Sequence, residues 1–188
     1  MKEIEELLSQ ISDERTRKIV LRIFVDIKDE LSTKPAAIRY HHAYASGLYD
    51  HVKEVMNITL QLFDTFEKQM DCSRDDAIVA SFCHDFNKID QYVPAPEWKK
   101  LKYGQLFDKK ESIWINEAAK TVKLCAEYGL ILNDTVMNAV CLHHGSWSTE
   151  VDSKYGHVRT EDFTSLAILL HSADLISSQV LGRKKNEG

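Results

Sequence analysis

Ile4, Leu7, Leu8 and Ile11 recur at three- and four-residue intervals with polar residues between them, which predicts a short amphipathic helix. Ser12 offers an N-cap for a second helix over about 13–31, with Ile19, Ile23 and Ile27 on one face and Lys or Arg opposite. Asp13 and Glu14 sit in its first turn, where the helix dipole favours negative charge. The stretch "STKPAAIRYHHAYASG" breaks the pattern as a loop. A long helix over about 48–68 follows, carrying Val52, Val55, Met56, Leu60 and Phe63. Ser73 with Asp76 resembles a capping box ahead of "AIVASFCHDF", whose small, apolar residues predict a central, buried helix.

Residues 89–110 mix prolines, aromatics and lysines and predict an irregular surface excursion of the kind that often carries function. Helices resume over about 111–128, ending near Gly129, and over about 134–144, capped by Asn133 and stopped by Gly145. The last helix is expected to start at Thr160 and run through "FTSLAILLHSADLISSQVL". No repeat, low-complexity tract or linker interrupts the chain. The expectation is one all-α domain, a helical bundle over 1–182, with a flexible tail over 183–188.

Composition narrows the classes. A 44% hydrophobic and 28% charged chain is ordinary for a soluble globular protein, and only 7 Gly and 3 Pro favour long helices over many strands. The net charge of −5 argues against a broad electrostatic grip on nucleic acid. Cys72, Cys83, Cys125 and Cys141 form no C-x-x-C pair and read as free thiols of a reducing compartment. The opening "MKEIEELLSQ" is not a secretory signal, and no apolar run approaches the ~20 residues a membrane helix needs. A cytoplasmic location is expected.

The 8 histidines carry the chemistry. His41 and His42 lie in the loop before the third helix and His51 within it. His84 precedes Asp85, His143 precedes His144, and His171 lies three residues from Asp174 on one helix face; His157 is isolated. Taken singly, each reads as an ordinary core or surface residue. As a set they do not. Asp174 interrupts "LAILLHSADLIS", where a bare carboxylate would cost several kcal/mol unless neutralised. A divalent cation shared by His51, His84, Asp85 and Asp174 would neutralise it, and borderline metals accept that nitrogen and oxygen set. Those ligands come from three helices, as in metal sites inside bundles.

With these residues in place, the chain resembles the HD superfamily of metal-dependent phosphohydrolases, named for an adjacent His-Asp pair in the order H … HD … D. The matches are His51 in "GLYDHVKEV", His84 and Asp85 in "FCHDFNKID", and Asp174 in "HSADLIS". Lys88 stands where many members carry a lysine. Within the superfamily, "ISDERTRKIV", "PAAIRYHHAYASGLYDHV" and "LHHG" are similar to the HD domain of bacterial 3′-5′ exoribonucleases in which an OB fold precedes it. Here the helices begin at once, so no RNA-gripping OB fold is expected. Two-metal members carry a further His between the HD pair and "HHG", and this sequence has none there, so one metal per site is expected. A second would need Asp85 to bridge to His143 or His144, with a carboxylate such as Glu111.

The resemblance implies hydrolysis of a phosphate ester or anhydride of a nucleotide, aided by Mn, Fe, Co, Ni, Zn or Mg. Asp85, Lys88, His143 and His144 are the catalytic candidates, as charge neutralisers or proton donors. Lys88, Tyr40, Tyr92 and Trp147 are candidates for holding substrate; Trp98 and Trp114 have no better claim. A dNTP, NTP or NMP is the first expectation. A 3′-5′ exonuclease or phosphodiesterase acting on short RNA or oligonucleotides is the first alternative, and a non-catalytic nucleotide-binding module the second. No membrane partner is expected, and the resemblance implies a homo-oligomer.

Overall fold

Eight α-helices, two short 3-10 turns (Glu67–Gln69 and Phe86–Asp90) and one small sheet make up most of the regular structure of the described residues, which are 1–110, 117–145 and 163–182 of this computed structural model. In chain order they are α1 (Ile4–Leu8), α2 (Glu14–Thr33), α3 (Gly47–Phe66), α4 (Arg74–Cys83), β1 (Tyr92–Pro94), α5 (Glu97–Tyr103), β2 (Phe107–Lys109), α6 (Glu117–Glu127), α7 (Asp134–Leu142) and α8 (Ser165–Ile176). Past α8 the backbone widens into a π-helical turn over Ser177–Leu181. The fold is all-α apart from the one sheet.

The core forms because α4 is apolar on nearly every side. Ala77 to Cys83 are all buried, and α4 is flanked by α3, α7 and α8. Its one internal hydroxyl, Ser81, donates to the Ala77 carbonyl at 2.7 Å, so burial leaves it satisfied. Phe82 packs edge-on against Phe24 of α2 and against Phe86 just beyond the helix. α3 crosses both α4 and α8 and buries Val52, Val55, Met56, Leu60 and Phe63, the face its spacing predicted.

Helix starts follow the predicted chemistry with two shifts. Ser73 and Asp76 form a reciprocal capping box, and Asn133 accepts the Val136 N–H at the start of α7. The cap of α2 is Asp13, whose carboxylate accepts the Thr16 N–H at 2.7 Å, and not Ser12. Ser12 instead donates its N–H to Asp75, which ties the start of α2 to the start of α4. α8 starts at Ser165, capped by Thr164, later than Thr160. The Thr164 N–H and hydroxyl both donate to Asn138 of α7, which fixes the entry point.

The largest departure is the excursion. Residues 92–109 hold β1, α5 and β2, with Tyr92 opposite Lys109 and Pro94 opposite Phe107 in an antiparallel pair. Three-residue strands are too short to show alternation, so the sequence pattern is silent there. The expected tail at 183–188 lies outside the described residues.

Candidate metal centre

Two helices end in the same way. His84 closes α4 and His143 closes α7, and each folds its ring back so that Nδ1 meets the carbonyl three residues earlier. For His84 that oxygen is Ser81 O at 2.8 Å, and for His143 it is Val140 O at 2.6 Å. The last carbonyls of a helix lack an intrahelical donor, and a histidine can supply one. A carbonyl only accepts, so each Nδ1 carries the proton and, in the neutral ring, each Nε2 keeps a bare lone pair. Helix capping and site building are therefore one arrangement.

His51, inside α3, is oriented by a longer chain of bonds. Ser177 donates its hydroxyl proton to Glu54 Oε2 at 2.9 Å, and its oxygen lies 3.0 Å from His51 Nδ1. Having given its proton to Glu54, Ser177 receives one from Nδ1, so His51 also turns Nε2 to the interior.

These nitrogens meet the carboxylates at one point. His51 Nε2 lies 3.2 Å from Asp85 Oδ2, 3.2 Å from Asp174 Oδ1 and 3.3 Å from His84 Nε2. His84 Nε2 is 3.4 Å from Asp85 Oδ2, and His143 Nε2 is 3.8 Å from Asp85 Oδ1. Lys88 Nζ donates to Asp85 Oδ2 at 2.7 Å. His51, His84 and Asp85 are buried, and Asp174 is 17% exposed.

Lone pairs facing carboxylate oxygens repel, so something positive belongs between them. A single proton on His51 serves Asp85 and Asp174. It leaves Asp85 Oδ1 and His143 Nε2 buried without a hydrogen-bond partner, a costly state for polar atoms. A divalent cation fits both needs, and His51, His84 and Asp85 already hold their ligand atoms within 4.8 Å of one another. Asp85, His143 and His144 make a second such group, and His41, His42 and His51 a third.

Titration directions agree with this charge distribution. Burial favours neutral Asp85, but the Lys88 ammonium first and the surrounding histidines next hold its carboxyl well below the usual range. Burial likewise opposes the charge on Asp174 and is outweighed by the bond from His51. Burial disfavours a charged His51, yet Asp174 and Asp85 raise it to about 9. Burial also resists the charge on Lys88, which Asp85 restores, so its pKa is raised and it stays protonated. Burial and then the neighbouring His143 push His144 down to about 4. It stays neutral near pH 7, which suits an acceptor or ligand better than a proton donor.

All four expected metal ligands and Lys88 thus come together, with His143 beside them and the His144 ring 3.9 Å from that of His143 between centroids. His171 is a support: its Nδ1 meets the His143 carbonyl at 2.6 Å, and a side chain at Gly145 would collide with its ring. Tyr92 is buried, its hydroxyl directed at Ala36 O, and it is close enough to Lys88 to feel its charge. Tyr40 is 80% exposed and Trp98 57% exposed. Trp147, Trp114, Glu111 and His157 lie outside the described residues. Sequence patterns do not single out Glu54, Ser177 or the His41–His42 turn, whose rings lie 5.2 and 5.4 Å from that of His51. The adjacent histidines are the one available signal.

The HD domain family model matches residues 48–178, which span the site from α3 to the π-helical turn. This chain belongs to the HD family. It is 26% identical over 192 residues to the dihydroneopterin 2′,3′-cyclic phosphate phosphodiesterase of Methanocaldococcus jannaschii, covering 96% of this chain and 70% of that protein. It is also 26% identical over 188 residues to the 3′-5′ exoribonuclease YhaM of Oceanobacillus iheyensis, covering 96% of this chain and 54% of the exoribonuclease. The YhaM of Bacillus velezensis is 24% identical over 148 residues, with 77% and 45% covered. The HD chain therefore spans about half the length of the exoribonucleases it matches. No solved structure shows a significant match to this chain. As an HD protein with such relatives, it is a metal-dependent phosphohydrolase.

Proposed function

We propose that this HD protein is a phosphodiesterase that hydrolyses a phosphodiester bond in a nucleotide-type substrate, with a divalent cation held by His51, His84, Asp85 and Asp174. The observation that carries the reading is the convergence of the His51, His84 and His143 Nε2 atoms on Asp85, with Asp85 Oδ1 and His143 Nε2 buried and unpartnered. Diester cleavage, the first alternative raised by the sequence, moves ahead of nucleoside mono- and triphosphates. One kind of relative is named a phosphodiesterase, and the other an exoribonuclease, an enzyme that cuts phosphodiester bonds.

When bound, the cation would lower the pKa of water and polarise a phosphoryl oxygen. The chain's own residues set the charge around it. Asp85 and Asp174 supply two negative charges and Lys88 one positive charge, so a divalent ion makes the centre net positive and attractive to a phosphate diester. Lys88 stays protonated, so its part is to hold Asp85 and to offset charge on phosphoryl oxygens, not to move a proton. His143 keeps Nε2 free beside Asp85 Oδ1, where it would orient water or add a ligand. Access of water is limited because His51, His84 and Asp85 are buried, while Asp174 at 17% exposure is the ligand nearest to solvent.

The test is a metal-supplemented assay comparing 2′,3′-cyclic nucleotides, short RNA and bis(p-nitrophenyl) phosphate with dNTPs, NMPs and p-nitrophenyl phosphate. Diester turnover is expected, abolished in Asp85→Ala together with bound metal, while helical circular dichroism persists. Turnover of triphosphates or monoesters alone would reject the diester reading. Metal retained by Asp85→Ala, measured by elemental analysis, would reject the ligand set.

A further inference from the structure

We propose that Glu54 is a positioning residue for the metal centre: through Ser177 it fixes which nitrogen of His51 faces the cation, and through His42 it anchors His41 at the edge of the site. The inference rests on the ligand set proposed above.

Glu54 lies three residues after His51 on α3 and is 2% exposed. One of its oxygens, Oε2, serves two arms. Ser177 Oγ donates to it at 2.9 Å, and His42 Nε2 lies 3.0 Å from it. A carboxylate only accepts, so His42 carries its proton on Nε2 and, when neutral, leaves Nδ1 bare. His41 Nδ1 is 3.3 Å from that atom and donates to it. The first arm ends at His51 Nδ1, 3.0 Å from Ser177 Oγ. Both arms therefore place a proton on Nδ1 of the terminal histidine and free its Nε2. Metal-binding histidines generally need such an outer partner to fix the ring and raise its basicity.

The surroundings of His42 give an independent reason to see function here. Its backbone adopts φ 45, a left-handed conformation that few residues other than glycine take up. A side chain at Gly47 would strike the His42 carbonyl, and one at Gly182 would strike the His42 ring. The chain thus leaves out two side chains and tolerates a strained residue to keep one ring fully buried against Glu54. An apolar pair would fill that space without polar atoms to satisfy. Strain and buried charge that persist together beside a site are a reason to look for a role there.

Ser177→Ala removes the link to His51 with little change in volume, and Glu54→Gln keeps the shape while removing the charge. Zinc binding to purified wild-type and variant proteins, measured by competition with a chromophoric chelator, is the main reading. The ring N–H resonance of His51 in the zinc-loaded protein is the second. Expected is a loss of zinc affinity of about 10- to 100-fold in each variant, with loss of the hydrogen-bonded His51 Nδ1–H signal in Ser177→Ala and unchanged circular dichroism. Should Glu54→Gln fail to fold, Ser177→Ala decides alone. Zinc affinity within twofold of wild type in folded Ser177→Ala would overturn the positioning role while leaving the ligand set intact. Wild-type protein that takes up no zinc, manganese or iron would overturn both readings.

Discussion

Asp85 is approached from several directions: Lys88 bonds Oδ2, His51 and His84 face the same oxygen, and His143 faces Oδ1. A residue so placed must be ionised, and its histidine neighbours must be neutral, before a cation can enter. In the metal-free protein His51 is raised to about 9, so near pH 7 it holds a proton between Asp85 and Asp174. A cation takes that proton's place. Calorimetric titration with zinc at pH 7 in buffers of different ionisation enthalpy is expected to show release of about one proton per metal, and affinity should rise with pH up to about 9. Uptake of a proton, or affinity flat from pH 6 to 9, would contradict the assignment of His51. Lys88→Ala leaves Asp85 without its ammonium but removes no metal-binding atom. Diester turnover should fall by about 10- to 1000-fold, with metal stoichiometry near that of the wild type; an unchanged rate would make Lys88 a purely structural cation.

Helices contribute their ends more than their faces. α4 and α7 each finish in a histidine that caps a free carbonyl with one nitrogen and presents the other to the centre. The precision of the site then depends on how firmly those helices are held, and α4 is held by its core contacts. Phe82 is fully buried and touches Phe24 and Phe86, the second of which directly follows Asp85. Phe82→Ala is expected to cost about 3–5 kcal/mol of stability, read as a lowered denaturation midpoint in urea, and to weaken metal binding by displacing the end of α4. A loss under 1 kcal/mol would show that the neighbouring side chains refill the space. The excursion over 92–109 is a different kind of element, held by a short strand pair and by Gln105, which accepts from Arg39 and donates to the Phe107 carbonyl.

Across the whole molecule, the buried and half-buried histidines make stability in the absence of metal depend on pH from both sides. His41, His144 and His84 have lowered values, to about 3 for His41 and about 4 for His144, chiefly through burial. Below the ordinary value of 6.5 the unfolded chain therefore binds protons that the folded chain refuses, and stability falls with falling pH. His51 and His143 are raised, burial being outweighed by the carboxylates they face. Above 6.5 the folded chain keeps protons that the unfolded chain releases, so stability falls again towards pH 9. Chelator-treated protein should show its highest urea midpoint near pH 6.5, and a steady rise from pH 4 to 9 would contradict the placement of these rings beside the carboxylates and away from water. Among the described residues no helix is long and apolar enough to cross a membrane.

What the sequence determined by itself was local periodicity and chemically restricted residues. The 3.6-residue rhythm of α2 and α3, the Ser73 and Asn133 caps and the apolar make-up of α4 depend on neighbours within a few positions, so the chain spells them out. His51, His84, Asp85 and Asp174 were legible as candidates for another reason: few residue types can serve a cation, and a carboxylate inside an apolar run is costly unless something positive neutralises it. Tertiary structure alone decided the rest. Glu54 reads as one more charged residue on an amphipathic helix until α3 packs against α8 and the following turn brings Ser177 to it. The packing of α7 against α4 and α8, and not the His143–His144 dipeptide, aims His143 Nε2 at Asp85. The strand pair of the excursion joins segments too short to carry a pattern. Periodicity reports which face of an element is buried, but only the contact between elements reports what that face meets.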